Sequence, residues 1–107
     1  MIFISKHMVP KGFVGITLFP FIFLKRKDLK ENPVLINHEK IHLKQQLELF
    51  IIFFYLFYII EWILKLIKYK NSATAYKNLS FEREAYTNEA NLTYIKSRKF
   101  WSFTNYL

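Results

Sequence analysis

The sequence is organised around one stretch, which reads Leu35-Ile36-Asn37-His38-Glu39-Lys40-Ile41-His42-Leu43-Lys44-Gln45-Gln46. On an α-helix, residues four positions apart lie on the same face, so His38 and His42 can direct two imidazole nitrogens at one ion. Glu39 then lies beside that ion, where its carboxylate can take a proton from a metal-bound water. This pattern is typical of zinc hydrolases, and it predicts a Zn2+ site with His38 and His42 as ligands and Glu39 as the catalytic base.

The composition indicates a single domain with one modest core. The chain has 107 residues, 52% hydrophobic and 20% aromatic, and no cysteine, so a zinc site must use histidine and carboxylate ligands. Its net charge of +8 is typical of proteins that bind nucleic acid or an anionic membrane surface. Because the lysines border the apolar segments and no nucleic-acid-binding motif is present, we expect a membrane surface or bilayer as partner, and no nucleic acid.

The first 30 residues contain the best strand candidates and end in a basic loop. Short β-branched and aromatic runs at 2–4, 13–19 and 21–24 are separated by turn signals at Gly12 and Pro20. This spacing predicts a hairpin or three short strands. A secretory signal peptide is not expected, because no basic segment leads directly into an apolar core and no small-residue cleavage site follows.

Residues 32–70 are predicted to form one long helix. Asn32-Pro33 supplies a helix start, and neither Pro nor Gly interrupts the chain from there to residue 70. Its second half, residues 49–67, is apolar apart from Glu61 and Lys65, which share a face with Lys68. Such a helix is either buried in a protein core or inserted in a membrane. We expect a membrane-associated protein whose helix is embedded at the membrane interface rather than spanning the bilayer. A soluble cytoplasmic domain is the alternative.

A second helix, over residues 80–97 with Ser80 as N-cap, offers the third ligand that two histidines leave missing. Carboxylates on the motif helix lie too far along its axis to reach back, so the candidates are Glu82, Glu84 and Glu89. Helical periodicity places Glu82 and Glu84 on opposite sides of the apolar stripe. Only one of the two can face the ion, and we expect the other to be a solvated charge.

Several further polar residues are assigned only broadly. His7 precedes a turn and is expected at the surface, and at least one of Gln45 and Gln46 is expected to face solvent. Glu89 is a candidate to hydrogen-bond to one of the metal ligands without binding the metal itself. The basic aromatic tail, residues 98–107, packs on the domain, lies at a membrane interface or adds an edge strand. Donors that could stabilise a tetrahedral intermediate are Tyr76, Tyr86, Tyr94 and His7.

Together these elements predict a mainly α fold with a small N-terminal β-hairpin (α+β). The long motif-bearing helix is expected to pack on the second, Glu-bearing helix. The chain is expected to form a single domain, residues 1–107, with four segments: a hairpin region and basic loop (1–30), the long helix (32–70), the ligand helix (80–97) and the tail (98–107).

The two motifs resemble the gluzincin class of zinc metallopeptidases, most closely its membrane-embedded branch of heat-shock and prenyl-protein peptidases. That class combines His-Glu-x-x-His with a later Glu-x-x-Ala, which matches Glu82-Arg83-Glu84-Ala85 here. The resemblance implies Glu82 as the third zinc ligand. Tyr86 replaces the Asp of the pattern, so the bond that this Asp would make to a ligand is missing. The whole chain also resembles a group of small uncharacterised bacterial proteins.

The leading functional prediction is a zinc metallopeptidase of the gluzincin type, which hydrolyses a peptide bond with a zinc-bound water. Its peptide or protein substrate is not specified by the sequence. The alternative is a non-catalytic, membrane-associated structural or partner-binding protein in which zinc staples two helices of an undersized domain. In a third hypothesis the protein is basic and membrane-active, and the histidine pair is incidental.

Overall fold

The computed structural model describes residues 2–107, which begin with a three-stranded sheet. The strands are β1 (Ile2–Ile4), β2 (Gly15–Leu18) and β3 (Phe21–Leu24), in the order β1-β3-β2. β2 and β3 form an antiparallel hairpin around Phe19 and Pro20, whereas β1 runs parallel to β3. The hairpin and the three short strands that the sequence predicts as alternatives are therefore both present.

Helices make up most of the remaining chain. They are α1 (Pro33–Glu48), α2 (Ile52–Tyr69), α3 (Ser72–Lys77), α4 (Ser80–Asn88) and α5 (Tyr94–Ser97). Short 3-10 turns lie at Lys27–Glu31 and Ser102–Tyr106. The predicted class, mainly α with a small N-terminal strand region, is confirmed. The motif helix α1 packs on α4, as predicted, and also on the sheet.

α1 begins where the sequence predicts. The side chain of Asn32 caps the helix by accepting a hydrogen bond from the N–H of Leu35 at 3.1 Å, and Pro33 occupies the first helical position. The apolar side of α1 packs on Ile22 and Leu24 of β3, both fully buried. β2 also contacts α1, which brings this strand close to the motif residues.

The prediction of one helix over residues 32–70 is wrong, because the chain turns sharply between α1 and α2. The two helices are bent by 109°. α1 ends in a Schellman motif, in which the N–H of Ile51 donates to the carbonyl of Gln46 at 2.7 Å and that of Phe50 to Leu47 at 3.2 Å. These bonds satisfy carbonyls that a helix end otherwise leaves free.

The turn uses backbone conformations that its residue types do not signal. Phe50 and Ile51 have φ angles of 53° and 66°, in the left-handed region that favours glycine. Sequence patterns mark such a helix end by Gly or Asn, and neither is present between α1 and α2. The neighbouring Leu49 is buried against Phe54 and Phe81, and this packing offsets the strain.

The second predicted helix, over residues 80–97, is divided into α4 and α5. Asn37 of α1 explains the division, since its side-chain amide donates to the carbonyls of Glu89 and Asn91 at 2.8 and 2.9 Å. Because these carbonyls already accept hydrogen bonds from Asn37, the helix can end here without leaving them unpaired. Ser80 is the first helical residue of α4 rather than its N-cap, so that prediction is wrong by one position.

The tail, residues 98–107, packs on the domain, which is one of the three placements expected for it. Its turn at Ser102–Tyr106 lies on α4, and Phe103 is 1% exposed in the same cluster as Phe81. Arg83 of α4 donates to the carbonyl of Tyr106 at 2.6 Å.

No single helix within residues 2–107 is long and apolar enough to cross a bilayer. α1 and α2 meet that criterion only as a pair, across the 109° bend. The apolar segment at 49–67, predicted as the second half of one straight helix, thus begins at the turn and continues as α2.

Candidate metal centre

Three buried donors from two helices meet at one point. His38 and His42 of α1 and Glu82 of α4 are 5%, 6% and 4% exposed. The Nε2 atoms of His38 and His42 lie 3.2 Å apart, and Oε1 of Glu82 lies 3.3 Å from the first and 3.2 Å from the second. This buried His-His-Glu group, called the donor triangle below, could hold a metal ion.

The donor triangle has the dimensions of one face of a small tetrahedral site. Bonds of about 2.0 Å to a tetrahedrally coordinated ion place neighbouring donor atoms about 3.3 Å apart. The observed separations of 3.2, 3.2 and 3.3 Å match that value on all three sides. Two imidazole nitrogens and one carboxylate oxygen leave a fourth position for water or substrate, which is the pattern of catalytic sites.

Gln45 fixes the orientation of His42. Its Oε1 lies 2.8 Å from Nδ1 of His42, so the Nδ1–H donates to Gln45 and Nε2 is left facing the triangle. The Gln45 amide in turn donates to the carbonyl of Phe81 and to Oε1 of Glu84, both at 3.0 Å. Gln45 and Gln46 are both buried, so the expectation that at least one of them faces solvent is wrong.

Glu84 anchors this chain of hydrogen bonds and is not the solvated charge that the sequence predicts. It is fully buried, Arg98 donates to both of its carboxylate oxygens, and Tyr94 donates to Oε2 at 2.6 Å. Burial raises the pKa of Glu84, but the hydrogen bonds from Arg98, Tyr94 and Gln45 outweigh that effect and lower it. Arg98 also donates to Glu48 at 2.7 Å, which ties the tail to the end of α1.

Glu61 of α2 positions the helix that carries Glu82. Its buried carboxylate accepts hydrogen bonds from the backbone N–H of Ser80 at 3.0 and 3.1 Å and from the Ser80 hydroxyl at 2.7 Å. The first N–H groups of a helix lack partners within the helix, and the helix dipole favours negative charge there. Glu61 therefore fixes the start of α4, two residues before Glu82. The side chain of Glu61, on the charged face of α2, is therefore directed into the protein, which the sequence does not indicate.

Glu39 lies beside the donor triangle, on the side of β2. Thr17 of β2 donates its hydroxyl to Oε1 of Glu39 at 2.8 Å. The second oxygen, Oε2, accepts no hydrogen bond within residues 2–107 and is not fully buried, although the residue as a whole is only 5% exposed. Thr17 therefore orients the carboxylate and leaves one oxygen free to accept a proton.

β2 is held against α1 by Gln46. The Gln46 amide donates to the carbonyl of Thr17 at 2.8 Å and accepts from the N–H of Phe19 at 2.7 Å. Gly15 permits the close packing of β2 on β3, since a Cβ there would lie 3.1 Å from the Leu24 side chain, whereas the carboxyl carbon of Glu39 would be at an ordinary contact distance of 3.8 Å. Gln46 is thus a structural part of the site.

The remaining predicted residues divide into near and distant groups. Oε1 of Glu89 lies 3.7 Å from Nδ1 of His38, and the ring of Tyr86 packs edge-on against His38 with centroids 4.6 Å apart. His7 is exposed, and Tyr94 is bonded to Glu84 and Ser102, so neither reaches the triangle as a hydrogen-bond partner.

A cavity of about 280 Å³ opens beside the donor triangle. Its lining includes Thr17, Glu39, His42, Tyr58, Tyr76 and Glu82. The pKa values of Tyr58 and Tyr76 are raised, chiefly by burial and further by the Glu82 carboxylate, so both phenols keep their protons. Tyr76 is among the donors that the sequence suggests. Tyr58 is not, because in the sequence it belongs to an uninterrupted apolar helix.

His42 and Glu82 have pKa values shifted in opposite directions. Burial lowers the pKa of His42, but the Glu82 carboxylate, with smaller contributions from Glu39 and Gln45, raises it overall to about 9. Burial raises the pKa of Glu82, whereas the charge of His42 and hydrogen bonds from both histidines lower it to about 2. In the metal-free protein a proton on His42 balances the Glu82 carboxylate, and a metal cation would replace that proton.

These shifts predict how the stability of the metal-free protein depends on pH. The raised pKa of His42 contributes stability that is complete below its usual value of 6.5 and lost as the pH rises through about 9. The depressed pKa of Glu82 contributes stability above its usual 4.5 that is lost as the pH falls through about 2. Both contributions to stability are therefore complete only between pH 4.5 and pH 6.5.

Urea denaturation in the presence of a chelator tests this expectation. The free energy of unfolding should fall between pH 6.5 and pH 9 in the wild-type protein and lose most of that slope in His42→Gln. His7→Gln, which changes an exposed histidine, should keep the slope. An alkaline limb that is equally steep in all three proteins would contradict the assignment.

No family model, characterised protein or solved structure matches this chain. The chemistry of the site is therefore inferred from its donor atoms, their spacing and the groups that surround them.

Proposed function

We propose that this protein is a zinc-dependent hydrolase that cleaves peptide bonds at the donor triangle. The observation that carries the proposal is the near-equilateral spacing of Nε2 of His38, Nε2 of His42 and Oε1 of Glu82, 3.2–3.3 Å on each side. The similarity of the two motifs to the gluzincin metallopeptidases supports the same chemistry.

Zinc is the ion that this donor set favours. Imidazole nitrogen suits zinc, copper, iron and nickel, while Mg2+ and Ca2+ prefer six or more oxygen ligands. Zinc accepts two histidines and one carboxylate in tetrahedral geometry, as in known hydrolytic sites. Bound here, it would lower the pKa of water and polarise a carbonyl group.

Glu39 is proposed as the general base and acid. It lies beside the ligand His38 in the chain, and it lines the same cavity as His42 and Glu82. Its Oε2 is free to take a proton from the attacking water, and the carboxyl can then deliver that proton to the leaving amine. Thr17 keeps the other oxygen in place through its 2.8 Å hydrogen bond, which limits rotation of the carboxylate.

Tyr58 and Tyr76 are proposed as donors to the oxygen that becomes negative when water attacks the carbonyl. Both line the same cavity as Thr17 and Glu39, and both phenols are protonated at neutral pH. A protonated phenol can donate to a developing oxyanion without delivering its proton.

A second candidate function is a zinc staple without catalysis. The donor triangle joins α1 to α4, the two helices that enclose the site, and a chain of 107 residues has a small core for its surface. Metal binding would then serve stability alone. The presence of Glu39 in a cavity that His42 and Glu82 also line favours catalysis over this alternative.

Metal analysis combined with a broad peptide library tests the proposal. We expect one zinc per chain, cleavage of a subset of the peptides detected by mass spectrometry, loss of cleavage on chelation and recovery on adding zinc back. A protein that binds no zinc would contradict both candidate functions. Stoichiometric zinc with no cleavage of any peptide would favour the staple.

A further inference from the structure

We propose that the outward side of α2 docks on the surface of an anionic lipid bilayer. At 100° per residue, an arc of about 140° on this helix holds only apolar side chains. These residues, called the outer face of α2, are Ile52, Phe53, Leu56, Ile59, Ile60, Ile63, Leu64 and Ile67. Each of them is 47–75% exposed, so the face runs the full length of α2 without a polar residue or a partner.

The polarity of α2 is inverted relative to a helix that faces water. Its buried residues are Phe54 and the charged Glu61, and Glu61 is committed to capping α4 through Ser80. A surface helix of a globular protein directs its apolar stripe at the core and its charges at solvent. Here the continuous apolar stripe points away from the core, and exposed apolar patches of this extent mark interaction sites.

Charge indicates lipid rather than a second copy of the chain as the occupant. The net charge is +8, and Lys68 and Lys70 are exposed where α2 ends. An anionic bilayer attracts such a surface, whereas two identical chains carrying this charge repel each other. An apolar face flanked by lysines is the pattern of helices that lie in the plane of a membrane interface.

Exposed aromatic side chains also lie near the other end of α2. Phe50 in the turn is 78% exposed and Phe100 in the tail is 74% exposed, and both line one shallow depression beside α1. Trp101 is stacked on Phe100 and is itself exposed. Aromatic rings favour the level of the lipid headgroups, so these residues would flank the docked helix.

Docking in this orientation would place the cavity close to the bilayer. Phe54, Tyr55 and Tyr58, on the inward side of α2, line the same cavity as Glu39. α2 is thus the wall between cavity and lipid, and a helix with its side chains is about 10 Å thick. The docking itself does not depend on whether the donor triangle holds zinc.

Vesicle co-sedimentation with matched double variants tests the proposal. Leu56→Gln/Leu64→Gln changes two leucines of the outer face that are 54% and 61% exposed, and Leu92→Gln/Leu107→Gln changes two with the same exposures elsewhere. We expect wild type to bind phosphatidylglycerol-containing vesicles more tightly than phosphatidylcholine vesicles, with a loss of binding on adding salt. The first double variant should bind at least about tenfold more weakly and the second as wild type.

Site-specific labelling gives a test that does not depend on weakening the helix. The chain has no cysteine, so Leu64→Cys and Leu92→Cys each create one attachment point for an environment-sensitive fluorophore. Vesicles should shift the emission of the label at position 64 to the blue and leave that at position 92 unchanged. Equal shifts, or equal sedimentation of both double variants, would overturn the proposal. So would a dimer that Leu56→Gln/Leu64→Gln dissociates while vesicle binding is unaffected, because the occupant would then be a second copy.

Discussion

Replacing Glu39 with Gln should reduce peptide hydrolysis by roughly 100- to 10,000-fold while zinc remains bound, because the amide cannot accept the proton of the attacking water. Gln has nearly the same shape as Glu, and its carbonyl oxygen can still accept the 2.8 Å hydrogen bond from Thr17. The donor triangle is made by His38, His42 and Glu82 and does not include Glu39, so the ligands are unchanged.

The control for this variant is Glu31→Gln, which makes the same chemical change at an exposed carboxylate before α1. It should keep both zinc and activity. The measurement is kcat/KM on any peptide that the wild-type protein cleaves, together with zinc content by elemental analysis. Undiminished turnover in Glu39→Gln would remove Glu39 from the mechanism, and loss of zinc would show that its role is structural.

The local part of the site could be predicted from the sequence, because it depends only on helical periodicity. His38 and His42 are four residues apart on α1, and their rings meet with 3.2 Å between the Nε2 atoms. Periodicity also separates Glu82 from Glu84, but it does not say which side of α4 faces α1. That choice depends on Tyr94 of α5 and Arg98 of the tail, which both donate hydrogen bonds to Glu84.

The polar residues around the site could not be placed, because each is satisfied by a partner distant in the chain. Gln45 bonds to Glu84, Gln46 to the backbone of β2, and Glu61 to Ser80. Sequence rules assign such residues to the surface unless a partner is known. The positions of Gln45 and Gln46 after the motif are compatible with a buried or an exposed side chain. Their spacing in the sequence therefore does not predict that they are buried.

The turn between α1 and α2 is the largest error in the predicted fold, and it has a local cause. Helix ends are recognised from Gly, Asn or Pro, whereas this end is made by Phe50 and Ile51 in left-handed conformations. The energy that permits them comes from tertiary packing, with Leu49 buried beside Phe54. The bend matters for function, because it turns α2 across the site and lets Tyr58 line the cavity.

Glu82→Gln and Glu84→Gln should separate metal binding from folding, since the two carboxylates have different positive partners. Glu82→Gln removes a proposed zinc ligand and should reduce zinc affinity by several orders of magnitude. Its partner His42 can lose its proton when the carboxylate is gone, so at about pH 9 and above, where the wild-type pair no longer contributes this stability, the metal-free variant should unfold only modestly more easily. Both changes are measured on the same samples, by zinc titration and by urea denaturation with chelator.

Glu84→Gln should have the opposite effects, with a large loss of stability and a small loss of zinc affinity. Arg98 cannot lose its charge, and its side chain is only 3% exposed, so it would be left buried with Glu48 as its remaining carboxylate partner. Breaking a buried pair costs roughly 3–5 kcal/mol. That is a large share of the total of about 5–15 kcal/mol typical of a folded domain. Zinc affinity should fall only about 10- to 100-fold, because Glu84 acts on the ligand His42 indirectly, by holding Gln45 in place.

An exposed ion pair supplies the control for both variants. Arg26 and Asp28 are paired at 3.1 Å, with side chains 58% and 68% exposed. Asp28→Asn should therefore change stability by less than about 1 kcal/mol and leave zinc affinity unchanged. If Glu84→Gln proves to be the variant that loses zinc and Glu82→Gln keeps it, the third ligand is Glu84, and the orientation of α4 against α1 must differ from the one described.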